Sequence, residues 1–241
     1  WQPTAEADAD AAVHAWARSG AMALTGPPSG PGLGPPAPLV PRLLRLADLL
    51  RTRSAALGCP LEVDPLGLLT ERAAIAGLTR RGQISCGGGT RLLRALDGWL
   101  AVSLARVEDR ELVPAWLGLD TVPDDPWPAI SERVPSRSLG SLVDQARVLA
   151  LPVAALPHKP PVVTRPPQPL TDLPYRAERL GHQEPASSLA GLVVADLSSL
   201  WAGPLCGSLL ADAGATVIKV ESTQRPDGAR RGPRAFFDLL N

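Results

Sequence analysis

Leu192–Glu221, LVVADLSSLWAGPLCGSLLADAGATVIKVE, is the stretch whose reading decides the fold. Leu192, Val193, Val194 and Ala195 form a short apolar run closed by Asp196, which fits a buried parallel strand. SSLWAGP is a turn holding Gly203 and Pro204, and LCGSLLADAG reads as a helix burying Leu205, Leu209 and Leu210, with Gly214 at its C-terminal end. ATVIKVE is a second strand. Strand, turn, helix and strand at these short spacings make a right-handed βαβ unit, so the fold class is α/β. Ligands of such sheets bind at the carboxyl ends of the strands, which places Asp196–Pro204 and Glu221–Arg230 beside any ligand. The phosphate-cradling GxGxxG is absent, so the pattern does not support a dinucleotide site.

Upstream lies a Pro-rich stretch, residues 157–188, PHKPPVVTRPPQPLTDLPYRAERLGHQEPASS, which reads as a linker or a surface strap because proline removes backbone donors and favours extended chain. Residues 1–156 form an earlier block. Glu6–Ser19 fits a helix with Ala12, Val13, Trp16 and Ala17 on its apolar face. A Gly/Pro loop follows, and Pro41 suits the first turn of a helix through Leu43–Leu50. PLGLLTERAAIAGL predicts a helix begun by Asp64 or Pro65 and ended near Gly77. Asp97-Gly98 reads as a turn leading into a buried strand, Trp99–Leu104. Glu111–Leu117 and Leu139–Leu149 read as helices.

Composition narrows the function classes. Hydrophobic residues make up 45% of 241, enough for a buried core. Lys+Arg and Asp+Glu are both 24, so the formal charge is zero, which removes the electrostatic case for nucleic acid or an anionic membrane as main partner. No apolar run approaches a membrane span of roughly 18–20 residues. Cys59, Cys86 and Cys206 are scattered singly, as expected of reduced thiols in a cytoplasmic protein, and no metal-ligand spacing is present.

The C-terminal stretch, LAGLVVADLSSLWAGPLCGSLLADAGATVIKVESTQRPDGAR, resembles the opening of the family III CoA-transferases, which include formyl-CoA and carnitine CoA-transferases and the α-methylacyl-CoA racemases. The joint pattern is strand–D-L-x-x-x-x-A-G-P–helix–L-A-D-x-G-A-x-V-I-K-V-E. Phe236–Asn241 resembles the family segment ahead of an N-x-x-K stretch, so residues 189–241 are expected to be the first part of a longer domain, incomplete in this chain. The resemblance implies a Rossmann-like domain that takes coenzyme A as substrate, with no covalently bound cofactor. It implies that Ser199, Leu200, Trp201 and Ala202 line the CoA site, and that Ser222 and Arg230 face its adenine-nucleotide end. Ser222 stands where some members carry Arg. Gly203, Pro204 and Gly214 fit turn and packing roles equally well, and Asp212 reads as a solvated or capping carboxylate.

Residues 1–156 carry a fainter likeness. Ser19–Val40, SGAMALTGPPSGPGLGPPAPLV, resembles the family's S-G-x-x-x-x-T-G-x-x-D-G-P-P segment, which leads to the catalytic aspartate of a G-D-x-x-x-G motif. That position falls at Pro41, and neither the Asp nor the following Gly is there. RRGQIS and Asp97–Arg106, DGWLAVSLAR, resemble later family segments. The order, late segments before the opening, implies a tandem arrangement: a degenerate transferase-like copy, a linker, then a second copy. Family members form interlocked dimers, so such a chain implies a dimer or an intramolecular pseudo-dimer. The reaction implied is transfer of CoA between an acyl-CoA and a carboxylic acid, by carboxylate attack on the thioester through a mixed anhydride and an enzyme–CoA thioester. A non-catalytic CoA-binding pseudoenzyme and an acyl-CoA racemase are the alternatives. Pro41 offers no nucleophile, and neither Asp48 nor His14 replaces it, so both Asp48→Ala and His14→Ala are expected to leave any activity unchanged; a large loss in either variant, in a CoA-transfer assay, contradicts a degenerate first copy.

Overall fold

The computed structural model describes residues 5–36, 38–157, 181, 187–224 and 226–241. The linker read over 157–188 lies for the most part outside them. In chain order the elements are α1 (Ala5–Arg18), α2 (Leu39–Ala55), α3 (Gly67–Ile75), β1 (Thr90–Ala95), β2 (Gly98–Ser103), α4 (Val107–Glu111), α5 (Val113–Leu117), α6 (Pro126–Arg133), α7 (Leu139–Val148), β3 (Val153–Ala155), β4 (Val193–Asp196), α8 (Ala202–Asp212), β5 (Thr216–Lys219) and α9 (Arg234–Leu240). The content is mixed α/β. Two compact units form: residues 1–24, 33–78 and 168–241 in one, 25–32 and 79–167 in the other.

The second unit is built on an antiparallel sheet in the order β1-β2-β3. Ala95 pairs with Gly98, so the two-residue loop of the β1–β2 hairpin is Leu96-Asp97, one residue earlier than the Asp97-Gly98 turn read from the sequence. Asp97 is used differently: its carboxylate accepts the backbone N–H of Leu139 at 2.7 Å and so fixes the start of α7. Alternation along β2 buries Leu100 and Val102 against Val113, Trp116, Ile130, Val134, Leu142 and Ala146 of the helices. Trp116 is fully buried, and its indole N–H donates to the Leu142 carbonyl at 2.9 Å, which satisfies the only polar atom of its side chain. The helix read as Glu111–Leu117 is two short helices that change over at Leu112, with Pro114 in the first turn of the second.

In the first unit α1 forms as expected, but its buried side is Trp16 with half-buried Ala12 and Ala15, while Val13 and Ala17 face solvent. Trp16 donates its indole N–H to the Leu33 carbonyl at 3.0 Å and packs with Ala21, Val40 and Leu66. Pro41 is the third residue of α2, where a missing N–H breaks no helical bond. The Asp64 carboxylate accepts the N–H groups of Leu66 at 3.1 Å and Gly67 at 3.0 Å, which starts α3, and Gly77 takes φ +62° just past its end.

The β4–α8–β5 segment has the predicted order, and its two strands pair in parallel with Asp196 opposite Lys219. α8 covers one face. Gly207 is buried there: a Cβ on it would lie 3.4 Å from Val217 and 3.6 Å from the Asp196 carboxylate, so glycine lets the helix sit close to the strands. The burial pattern departs from expectation. Val193 is 62% and Ile218 51% exposed, so the strands are half-covered rather than buried. In α8 the fully buried positions are Pro204 and Gly207, and Leu205, Leu209 and Leu210 are only half-buried. Among the described residues no further strand or helix covers the opposite face. No helix is long and apolar enough to cross a membrane among the described residues.

The second unit's core is centred on Trp116. Trp116→Ala is expected to cost about 3–5 kcal/mol, through the cavity it opens, read as a lower midpoint in urea unfolding followed by circular dichroism.

Candidate functional site

The carboxyl ends of β4 and β5 are tied together by one buried carboxylate. Asp227, in the loop after β5, has no exposed side-chain surface. Its Oδ1 accepts the backbone N–H of Leu200 at 2.9 Å and that of Ala229 at 2.8 Å, and its Oδ2 lies 3.0 Å from the Lys219 ammonium. Lys219 Nζ also lies 3.4 Å from Asp196 Oδ2. Asp196 in turn accepts from the backbone N–H of Ser198 at 2.8 Å and from its hydroxyl. One lysine at the end of β5 thus bridges the carboxylate that ends β4 and the carboxylate that anchors both loops.

The charges respond accordingly. Burial pushes the Asp227 carboxyl up, but the N–H groups of Ala229 and Leu200 and the Lys219 ammonium together hold it below its ordinary value. The Ser198 hydroxyl and the Lys219 ammonium hold Asp196 low against its desolvation. Next to this network Glu221 accepts the backbone N–H of Asp227 at 2.7 Å and pairs with Arg230, whose Nε lies 3.0 Å from Oε2. The Arg230 guanidinium depresses the Glu221 carboxyl, and Glu221 raises Arg230. Arg230 also stacks over the Phe237 ring, 3.9 Å from its centroid.

The residues singled out in the sequence distribute as follows. Leu200 takes φ +73°, a left-handed conformation unusual for a branched side chain, and the bond from its N–H to Asp227 holds it there. Its side chain lies against Gly228, where a Cβ would come within 3.0 Å. Trp201 is half-buried and precedes α8, with its ring edge-on to Phe236 at 6.3 Å between centroids. Ser199 and Ala202 are exposed on the same turn. Ser222 is exposed, and its hydroxyl accepts the Gln224 N–H at 3.2 Å. Leu200, Trp201 and Ala202 are therefore contiguous on one loop, and Arg230 joins them through Glu221 and Asp227, while Ser222 stands outside the hydrogen-bonded network. Gly203 faces Ser198, where a Cβ would overlap its side chain, and Gly214 takes φ +100° after α8, so both have packing or turn roles. Asp212 and His14 are exposed, and exposed Asp48 pairs with Arg51 at 2.6 Å. Among the described residues no group of three or more His, Cys, Asp or Glu could hold a metal ion.

Asp196, Lys219 and Asp227 were not singled out as site residues. A signal for Lys219 existed: it is one of only two lysines in an Arg-rich chain, and a slim ammonium fits between two buried carboxylates where a planar guanidinium does not. Asp227 carried none, because its partners at Leu200 and Lys219 are brought to it only by the fold.

Residues 189–241 match the family model described as CoA-transferase family III. Over this segment, less than a quarter of the chain, the protein is similar to that family. No curated protein matches the chain. The matched residues contain β4, α8, β5, α9 and the entire Asp196–Lys219–Asp227 network, so the family III segment and the buried charge cluster coincide.

The network predicts a pH response. A carboxyl whose folded value is depressed contributes stability above its unfolded value and loses it as pH falls through the folded one. Asp227→Asn is expected to lower stability by about 3 kcal/mol at pH 7, since it leaves Lys219 poorly paired. In urea unfolding, the gap between wild type and variant should shrink as pH falls below about 4. A gap that is constant from pH 7 to pH 3 excludes this role for the carboxylate.

Proposed function

We propose that the family III segment belongs to a CoA-transferase of that type, acting on an acyl-CoA and a carboxylic acid, and that its loop Ser199–Ala202 lines the coenzyme A site. The observation that carries this reading is the coincidence of the family match with a loop held rigidly at the carboxyl ends of two parallel strands, where ligands of α/β sheets bind. A Rossmann-like continuation of the sheet, with coenzyme A as exchangeable substrate, follows from the same reading. Ser222 and Arg230 would face the adenine-nucleotide end. Arg230 keeps guanidinium surface exposed beside its Glu221 partner, which suits a phosphate.

In the transfer reaction a carboxylate attacks the thioester carbonyl. The C–S bond breaks and CoA leaves as thiolate; that thiolate then attacks the enzyme-side carbonyl of the anhydride, whose C–O bond breaks to release the donor acid as a carboxylate and leave an enzyme–CoA thioester. The described residues offer no such nucleophile at Pro41, which lies inside α2. The contribution we assign to this chain is therefore ligand binding, with residues 1–156 read as a degenerate copy of the same domain, paired with the second copy as an interlocked dimer or pseudo-dimer. Pro41 also favours the second reading, a CoA-binding pseudoenzyme. The singly scattered cysteines, read as reduced thiols, support a cytoplasmic location on this reading.

Ser199, Leu200 and Ala202 are exposed, so the loop encloses little of a ligand and the expected affinity is weak, a Kd of about 0.1–1 mM, some −4 to −5.5 kcal/mol. Titration with coenzyme A, observed by two-dimensional NMR, should shift the amides of Ser199–Ala202 and the Arg230 side chain first. Shifts confined to other parts of the chain contradict the assignment.

A further inference from the structure

The loop Leu197–Trp201 is gripped from two sides, and the second grip includes a residue from outside the family III segment. On one side Asp227 holds the Leu200 N–H. On the other, the Trp201 ring leans edge-on against Phe236, and the guanidinium of Arg72 lies 5.9 Å from the Trp201 centroid and 5.5 Å from that of Phe236. Both distances fall inside the reach of a cation–π contact. Arg72 belongs to α3, more than a hundred residues before the matched segment begins. Ile75, one turn further along α3, packs into the cluster of Ala229, Phe236 and Leu240. Among the described residues Arg72 makes no ion pair, so its aromatic contacts are what its charge has been given to.

The backbone needs this second hold. Leu200 at φ +73° is followed by Trp201 at φ −135° and ψ −68°, outside the regular regions, and Trp201 makes no side-chain capping bond to α8. Two successive irregular residues relax unless both are restrained.

We infer that Arg72 is a positioning residue for the ligand loop, acting through the Trp201 ring. Arg72 touches no ligand on this view; it fixes the ring, and the ring fixes the turn that presents Ser199–Ala202. The inference rests on the assignment of that loop to coenzyme A, but its first readout does not. The emission of Trp201, isolated as the difference between wild type and Trp201→Phe, is quenched by acrylamide in wild type, Arg72→Ala and Arg72→Lys, with circular dichroism checking that all three fold. Arg72→Ala should raise quenching of Trp201 about twofold and weaken coenzyme A binding about 2- to 5-fold, and Arg72→Lys should restore most of both.

Coenzyme A and its 3′-dephospho form should be weakened alike. Loss confined to the phosphorylated form overturns the inference, because Arg72 would then be a phosphate contact. Unchanged quenching in Arg72→Ala also overturns it, and reduces Arg72 to a favourable charge in the last turn of α3. If wild type binds no coenzyme A while quenching still depends on Arg72, the functional reading fails and the hold on Trp201 stands. If wild type binds but Arg72→Ala binds equally with unchanged quenching, the reading stands and the inference fails.

Discussion

A carboxylate with no exposed side-chain surface, Asp227, is the constraint on which the C-terminal segment depends. Removing a charge from water costs several kcal/mol unless every lone pair finds a partner. Here the partners come from three places: the loop after β4, the loop after β5, and the end of β5 itself. Satisfying one buried charge therefore fixes the relative positions of both strand ends and both loops. The unusual backbone at Leu200, with φ +73°, lies at one of these bonds, its N–H donated to Asp227.

Parts of this arrangement were legible in the sequence and parts were not. The strand–helix–strand order could be read because each element has a local signature: the Val-rich runs, the small-residue helix, and Gly214 after it. The loop Ser199–Ala202 could be placed because it falls between two such signatures. Burial was read less well. Hydrophobic content says that a strand can be buried, and β4 and β5 are apolar enough, but whether a second layer exists is a tertiary matter that Val193 and Ile218 do not encode. The same holds for Val13 on α1, which fits a helical stripe yet lies on the wrong side of Trp16.

The site itself was visible only as ranges of residues. Its ligand-facing loop follows from strand-end geometry, a rule with local inputs. The charges behind that loop follow from contacts between residues 27 and 23 positions apart, Leu200 with Asp227 and Asp196 with Lys219, and no spacing pattern announces these. Arg72 is the extreme case. In sequence it is one arginine among many on a helix of unremarked amphipathicity, and its meaning depends on α3 and α9 packing against each other.

The uncovered face of the β4–β5 pair has a consequence for how the protein behaves in bulk. Val193 and Ile218 stand exposed on strands that each keep one edge of unpaired peptide groups among the described residues, and Leu197 and Val220 stand exposed just past their ends. Flat apolar edges of this kind template further strands. The chain is also formally neutral at pH 7, with an isoelectric point near 7.0, so no long-range repulsion keeps copies apart. Colloidal stability at neutral pH then falls to whatever covers that face, and shelf life in dilute buffer becomes a property of two short strands.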